Sequence, residues 1–225
     1  MKSLKHRKSF ALRLGLSRAQ AATIARLDTP GRIQDFINAM PINFEPEGDT
    51  CLSVAEALRQ RRAHCIEGAF IAACALWCNG EPPLLMDFNA HRDDDHVIAL
   101  FRRHGCWGAI SKSNHVWLRW REPIYRSLRE LAMSYFHEYV GRGRRSLRAY
   151  SVAFDLRRFD SRIWVTGKKQ CWEVANAVDE TRHYQIMSPA QIRNLRRCDR
   201  VEVAADKITE YKRPRNMRKN KAKQG

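Results

Sequence analysis

The spacing of apolar residues in the first sixty positions is that of short helices. Residues 14–27, LGLSRAQAATIARL, repeat apolar positions at intervals of three and four, which predicts an amphipathic helix. A second helix is predicted over 28–40, DTPGRIQDFINAM, because Thr29 can cap it and Pro30 suits its first turn. After a loop rich in proline, glycine and acidic residues, CLSVAEALRQ at 51–60 again has helical spacing. The first part of the chain is therefore predicted to be helical.

Residues 65–78, CIEGAFIAACALWC, differ from these helices because they are apolar on almost every side. A pattern of this kind predicts a helix that is buried within a core. Asn79-Gly80 supplies a suitable end, since glycine is favoured at the position after a helix. Cys65 therefore stands at the first turn of a buried helix.

Three short apolar runs follow, separated by turn residues. PPLLMDFNA (82–90) predicts a buried strand, DHVIALFRR (95–103) a second, and CWGAISKS (106–113) a third after His104-Gly105. Helical spacing returns in SLRELAMSYFHEYV, 127–140. Helices followed by adjacent strands predict an α+β fold with N-terminal helices packed on an antiparallel sheet.

The C-terminal part of the chain is more polar. We interpret GRGRRSLRAY (141–150) as a flexible basic link, 152–159 and 162–166 as strands, and 188–197 as a helix capped by Ser188. From Tyr211 onward, seven basic residues and no acidic residue predict a disordered tail. These changes divide the chain into an N-terminal helical segment (1–30), a core (31–140), a basic extension (141–210) and the tail (211–225).

Charge and composition narrow the class of protein. The net charge of +17 divides into +3 for 1–50, +1 for 51–140 and +13 for 141–225, so the core is nearly neutral. No run of about 18 apolar residues predicts a membrane span. Arginines interrupt the apolar part of the first twenty residues, which excludes a secretory signal but leaves a transit peptide open. Seven cysteines without a CxxC pair fit a reducing, cytoplasmic location.

Cys65 and His96 together have the residue types of a thiol nucleophile and its base. The positive end of a helix favours thiolate over thiol, and backbone N–H groups of the first turn can bind an oxyanion. His96 lies at the start of the second predicted strand, where it can exchange a proton with the thiol. A third polar group is then needed to orient the imidazole ring.

In these residues the sequence resembles the transglutaminase-like superfamily, within the papain-like cysteine enzymes. The resemblance rests on AHCIEGAFIAACAL, DDDHVIALF and WGAIS, and covers about residues 31–140. It implies Cys65 as nucleophile and His96 as general base and acid. The family usually has an aspartate as third member, where this sequence has Ser111 at the end of WGAIS. Asn114 is a substitute by analogy with asparagine-containing triads.

Each candidate also has a structural interpretation. Cys65 can be an inert core residue, and His64 a solvated neighbour or a local proton relay. Three residues are assigned to the oxyanion site and groove: Ile66 through its backbone, Glu67 and Trp107. Glu67 either interacts favourably with the helix dipole or contacts a substrate amine. Trp107 either lines a groove or packs on the sheet. The acidic turn at 93–95 is a solvated turn or a cation site.

The pattern predicts a cysteine-dependent acyl-transfer enzyme. It would hydrolyse a peptide, isopeptide or other amide bond through an acyl-enzyme on Cys65, with a peptide or protein substrate and no cofactor or metal. The alternative is a catalytically weak or inactive relative that binds a peptide, protein or nucleic acid through its groove or basic tail. The tail itself can contact nucleic acid or an anionic membrane surface.

Overall fold

The structure is a computed structural model and describes residues 2–214. Its helices begin at side-chain caps for the most part; Ser3, Ser17, Thr29 and Ser53 each accept a hydrogen bond from the first turn of the helix that follows. The helices are α1 (Leu4–Arg13), α2 (Arg18–Arg26), α3 (Pro30–Ala39), α4 (Val54–Gln60), α5 (Cys65–Cys78), α6 (Leu128–Phe136), α7 (Ser161–Trp164), α8 (Trp172–Asp179), α9 (Pro189–Arg193) and α10 (Arg200–Asp206).

The strands form a seven-stranded antiparallel sheet and a separate hairpin. In the sheet the order is β4-β3-β2-β1-β7-β9, with β8 also paired to β1, and β5 pairs with β6 in the hairpin. The strands are β1 (Leu84–Ala90), β2 (His96–Arg103), β3 (Cys106–Ile110), β4 (Arg121–Tyr125), β5 (Val140–Gly141), β6 (Arg144–Arg145), β7 (Leu147–Ser151), β8 (Phe154–Asp155) and β9 (His183–Gln185).

Alternate residues of the central strands pack into two cores on opposite faces of the sheet. On one face Val97, Ala99 and Phe101 of β2 join the core that contains the buried helix α5. On the other face Ile98 and Leu100 join a core that contains residues of α6. The predicted fold class, α+β with helices packed on an antiparallel sheet, is confirmed.

Several element predictions differ from the structure. The helix predicted over 14–27 begins only at residue 18, because Gly15 has a φ of 92° and Ser17 is the cap of the helix. The segment 162–166 lies in and after helix α7 and is not a strand; Asp160 caps that helix by accepting from the backbone N–H of Arg162.

The interpretation of 141–150 as a flexible link is wrong. This segment contains the β5–β6 hairpin and most of β7, which pairs with β1 in the middle of the sheet. Leu147 and Ala149 are buried there on either side of the half-buried Arg148. Before Tyr150 the strand has only these two apolar residues, and arginines surround them in the sequence. The local pattern was therefore that of a basic link and not of a strand. The sheet therefore continues beyond residue 140, where the core was predicted to end.

The predicted disordered tail lies mostly outside the described residues, which end at 214. Its first residue, Tyr211, is bound to the body of the protein. Among residues 2–214 no helix combines the length and the hydropathy needed to cross a membrane.

Candidate active site

Helix α5 begins at Cys65, and His64 is its N-cap residue. The start of the helix is held by Glu67, whose carboxylate accepts a hydrogen bond from the His64 backbone N–H at 3.0 Å. This contact uses one of the donors that the first turn leaves without an intrahelical partner. Cys65 is half-buried, so its thiol stands at the boundary between the core and solvent.

His96 and Ser111 meet at one end of the sheet. The antiparallel register that pairs Ala99 with Ile110 brings the first residue of β2 near the residue that follows β3. His96 is buried, and its Nε2 lies 2.7 Å from the Ser111 hydroxyl oxygen. The hydroxyl in turn donates to the backbone carbonyl of Leu118 at 2.8 Å.

This relay determines the tautomer of His96. Because the Ser111 proton is donated to Leu118, the serine oxygen must accept from His96, and the proton of the neutral ring lies on Nε2. The other ring nitrogen, Nδ1, then carries a free lone pair. A lone pair on that side is what a general base needs to take a proton from a thiol.

The Cys65 thiol interacts with two imidazole rings. Its sulfur lies 3.9 Å from Nδ1 of His64, and His96 is the second imidazole that acts on its charge. Burial opposes ionisation of the thiol, but the interactions with His64 and then with His96 outweigh it and lower the pKa of Cys65 to about 6. At neutral pH the thiolate is therefore the main form.

His64 is held as a cation by two carboxylates. Its Nε2 lies 2.9 Å from the Thr50 carbonyl oxygen, 3.3 Å from Glu67 and 3.6 Å from Glu45. Burial opposes the charge, but hydrogen bonds with Cys65 and Glu67 raise the pKa of His64 well above its usual value. The imidazolium is thus placed between a carboxylate and the thiolate.

Glu67 is a fully buried anion with many donors around it. Its carboxylate accepts from the side chains of Asn43 and Thr50 and from the backbone of Leu52. Burial raises its pKa, but the contacts with His64 and Asn43 prevail and lower the pKa of Glu67 to about 2. A carboxylate enclosed in this way supports His64 and is not exposed to contact a substrate amine.

Two further titratable groups, Tyr139 and Cys51, interact with the charge on Cys65. The charge on Cys65 contributes, after burial, to the raised pKa of Tyr139, which lies between α6 and β5. It also contributes to the raised pKa of Cys51, after the hydrogen bond to Cys171 and burial. Both groups are neutral at physiological pH, so His64, His96 and Glu67 determine the electrostatics of the thiol.

The other predicted site residues are Asn114, Trp107 and Ile66, and of these only Ile66 lies beside the thiol. Asn114 is bonded to the backbone of Tyr211, and it is Ser111 that contacts His96. Trp107 pairs with Arg102, six residues along β2 from His96 and about 20 Å away at the usual rise of a strand. Its indole ring packs against the Arg102 guanidinium at 4.8 Å, so it lines no groove at the thiol. Ile66 is buried in the first turn of α5, where its backbone N–H lies beside the nucleophile.

The acidic turn at 93–95 is occupied by internal hydrogen bonds. Asp93 accepts from the Ser146 hydroxyl at 2.5 Å, and Asp95 accepts from the backbone N–H of Ala90 at 2.8 Å. Within residues 2–214 no group of three or more His, Cys, Asp or Glu side chains is arranged to hold a metal ion.

Sequence reasoning underrated His64 and missed Thr50 and Asn43. The signal for His64 was present, since a histidine directly before the cysteine and a glutamate three residues later form a capping arrangement. Thr50 and Asn43 lie in a loop rich in proline and glycine, where no periodic pattern relates them to Glu67. Their role depends on contacts across 17 and 24 residues of sequence.

Comparisons with known proteins find similar chains among solved structures. No family profile and no curated protein matches the sequence. Among solved structures the chain is similar to EGTA-treated LapG of Legionella pneumophila, at 16% identity and a TM-score of 0.35. The match covers 49% of this chain and 71% of that one. A similarity of this size carries no argument about activity.

Proposed function

We propose that this protein is a cysteine-dependent acyl-transfer enzyme that hydrolyses a peptide, isopeptide or other amide bond. One observation carries the proposal: the Cys65 thiol stands at the start of α5 with its pKa lowered by His64 and His96, and Nε2 of His96 is held 2.7 Å from Ser111. A nucleophile, a base that acts on it and a group that orients the base are therefore brought together, as nucleophilic catalysis requires.

The first half of the reaction forms an acyl-enzyme. The Cys65 thiolate attacks the carbonyl carbon of the amide, a C–S bond forms, and the carbonyl electrons move onto the oxygen. Backbone N–H groups of the first turn of α5 can stabilise this oxyanion. Collapse of the tetrahedral adduct breaks the C–N bond, and protonated His96 gives its Nδ1 proton to the departing amine.

The second half releases the acid. The neutral His96 takes a proton from water, whose oxygen attacks the thioester carbon. The C–S bond then breaks, the carboxylic acid leaves, and the thiolate is restored beside the two imidazole rings. The balance of atoms requires only water as the second substrate.

This site has no aspartate as third member, and two residues support catalysis: Ser111 orients the base, and His64 stabilises the thiolate. Ser111 orients His96 but adds no negative charge, so it stabilises the imidazolium less than a carboxylate would. The cation that stabilises the thiolate is supplied on the other side, by His64 and its partner Glu67. The site therefore separates orientation of the base from activation of the nucleophile.

Alkylation of Cys65 by iodoacetamide tests the proposal. The rate at Cys65, followed by mass spectrometry of its peptide, should show a midpoint near pH 6, against about 8.5 for an ordinary cysteine. The half-buried Cys106 in the same samples serves as the internal comparison. His96→Ala should raise the midpoint at Cys65 and leave Cys106 unchanged. A slow thiol with an ordinary midpoint, indifferent to His96, would exclude this mechanism.

A binding protein is the second candidate, because the third position holds a serine and residues 141–225 carry a charge of +13. In that case the groove or the basic tail would bind a peptide, a protein or nucleic acid, with strong dependence on salt for a nucleic acid. Binding that survives Cys65→Ala but is lost when the seven basic residues of 212–223 are replaced by glutamine would favour this function.

A further inference from the structure

The loop that supports Ser111 is tied to the C-terminal segment of the chain. The Asn114 amide donates to the Tyr211 carbonyl at 2.9 Å and accepts from the Tyr211 N–H at 2.9 Å. The backbone carbonyl of Asn114 accepts from the Glu210 N–H at 3.1 Å. We call this arrangement, Asn114 with the backbone of Glu210 and Tyr211, the C-terminal clasp.

Ionic contacts reinforce the C-terminal clasp. Arg119 donates to the Ser113 carbonyl at 2.9 Å and forms an ion pair with the Glu210 carboxylate. The Lys112 ammonium group lies 5.6 Å from the centre of the Tyr211 ring. Residues 210–211 are therefore joined to both ends of the loop between β3 and β4, across about 90 residues of sequence.

That loop contains the groups that orient His96. Ser111 lies at its start, and the Leu118 carbonyl that accepts the Ser111 proton lies in a one-turn 3₁₀ helix at 116–118. A single helical turn has few internal hydrogen bonds of its own, so its position depends on what the loop is fastened to. The residues on either side, Asn114 and Arg119, are the ones that hold the C-terminal segment.

We propose that Asn114 is a positioning residue, which acts on His96 through the C-terminal clasp and the Ser111–Leu118 hydrogen bond, so that the chain's own C-terminal segment completes the active site. This inference rests on the proposed function of Cys65 and His96. It gives Asn114 a role in the reaction without contact to His96, and it makes residues 210–211 part of the catalytic support.

The test compares six full-length proteins: wild type, Asn114→Ala, Tyr211→Pro, the Asn114→Ala/Tyr211→Pro double variant, Tyr211→Ala and Val201→Ser. Proline at 211 removes the N–H that Asn114 binds, whereas Tyr211→Ala removes the ring and keeps both backbone hydrogen bonds. Val201→Ser, an exposed position on α10, is the control for changes in the C-terminal region. The readout is the pH dependence of Cys65 alkylation, with thermal unfolding measured on each protein.

We expect each single variant to move the midpoint of alkylation from about 6 to about 7, because a loosely held His96 stabilises the thiolate less. At pH 6 the thiolate fraction then falls from about one half to about one tenth, which slows alkylation about fivefold. The double variant should be no slower than either single one, since both break the same link. Tyr211→Ala should lose less than Tyr211→Pro.

Three results would overturn the inference. Wild-type behaviour of Tyr211→Pro beside a slow Asn114→Ala would mean that Asn114 acts on His96 without the C-terminal clasp. A double variant slower by the product of the two single effects would mean independent roles. An unchanged midpoint in both would leave Asn114 with a structural role only.

Two further measurements keep the outcomes distinct. If Tyr211→Pro does not fold, Glu210→Gln removes the charge that pairs with Arg119, keeps the backbone of the C-terminal clasp and should shift the midpoint in the same direction by a smaller amount. If wild-type Cys65 itself titrates as an ordinary thiol, the proposed function fails and this inference fails with it. If wild-type Cys65 is reactive and no variant changes it, this inference alone fails.

Discussion

The two sides of the candidate site are built in opposite ways. On the nucleophile side, His64, Cys65 and Glu67 are neighbours in sequence, and helix formation alone brings them together. On the base side, His96 comes from strand β2, Ser111 and Leu118 come from the loop between β3 and β4, and the C-terminal segment is fastened to that loop.

The comparison indicates that the two sides should respond differently to change. The nucleophile side is buried and charged, so damage there should cost folding free energy as well as reactivity. The base side depends on neutral hydrogen bonds, each of which contributes about 1 kcal/mol. Changes there should affect reactivity with a smaller effect on stability.

The largest effect is expected for Glu67→Ala on the nucleophile side. It leaves the donors of Asn43, Thr50 and Leu52 and the His64 cation without their buried acceptor. Loss of one partner of a buried pair costs about 3–5 kcal/mol, to be measured as the free energy of unfolding in urea. Glu67→Gln, which keeps the shape, should lose less; equal losses would mean that the charge is unimportant.

The same carboxylate gives a pH dependence to stability. Because the folded pKa of Glu67 is lowered to about 2, its contribution is present above the unfolded pKa near 4.5 and is lost as pH falls through 2. The wild-type free energy of unfolding should therefore fall by about 3 kcal/mol between pH 5 and pH 2 from this group. In Glu67→Gln that part of the fall should be absent, which comparison of the two acid titrations will reveal.

Gly68→Ala tests the junction between the two sides. A Cβ at this position would lie 2.5 Å from Cβ of Lys112, in the loop that follows Ser111. Overpacking of this kind costs about 1–3 kcal/mol, and it should also slow Cys65 alkylation by pushing the loop away from α5. Ala69→Gly, one residue further along the same helix, is a control that loosens packing without a clash; slowing by both equally would contradict the steric explanation.

His64→Gln tests the cation on the nucleophile side. It removes a charge adjacent to the thiolate and should raise the midpoint of Cys65 alkylation by about one pH unit, equivalent to about 1.4 kcal/mol. Arg62→Gln, which removes a nearby cation on the surface, should change the midpoint little. A midpoint that is unaffected by His64→Gln would mean that His96 alone activates the thiol.

The smallest effect on stability is expected for Ser111→Ala on the base side. It leaves the His96 Nε2–H without its acceptor, at a cost of about 1 kcal/mol in the free energy of unfolding. The alkylation midpoint should rise because His96 is no longer held in one orientation and tautomer. Ser113→Ala, two residues along the loop, is the matched control, and an equal shift in both variants would argue against the relay.

The same contrast between the two sides explains how well each could be predicted. The limits of α5 follow from its apolar run and from the asparagine and glycine at its end, so the placement of Cys65 at a helix start was predicted. The His96 strand was predicted from its apolar residues and the preceding turn. Strand β7 was missed because its neighbours in sequence are arginines and its burial depends on pairing with β1.

The sequence by itself determined the buried helix α5, the strands β1 to β3 and the positions of the thiol and the imidazole within them. These follow from the period of apolar residues and from caps, which are local properties of the chain. Only the tertiary structure decided that Ser111, rather than Asn114, contacts His96, and that Asn114 binds Tyr211. Those choices depend on strand register and on contacts between residues far apart in sequence, where a displacement of a few ångströms exchanges one hydrogen-bond partner for another.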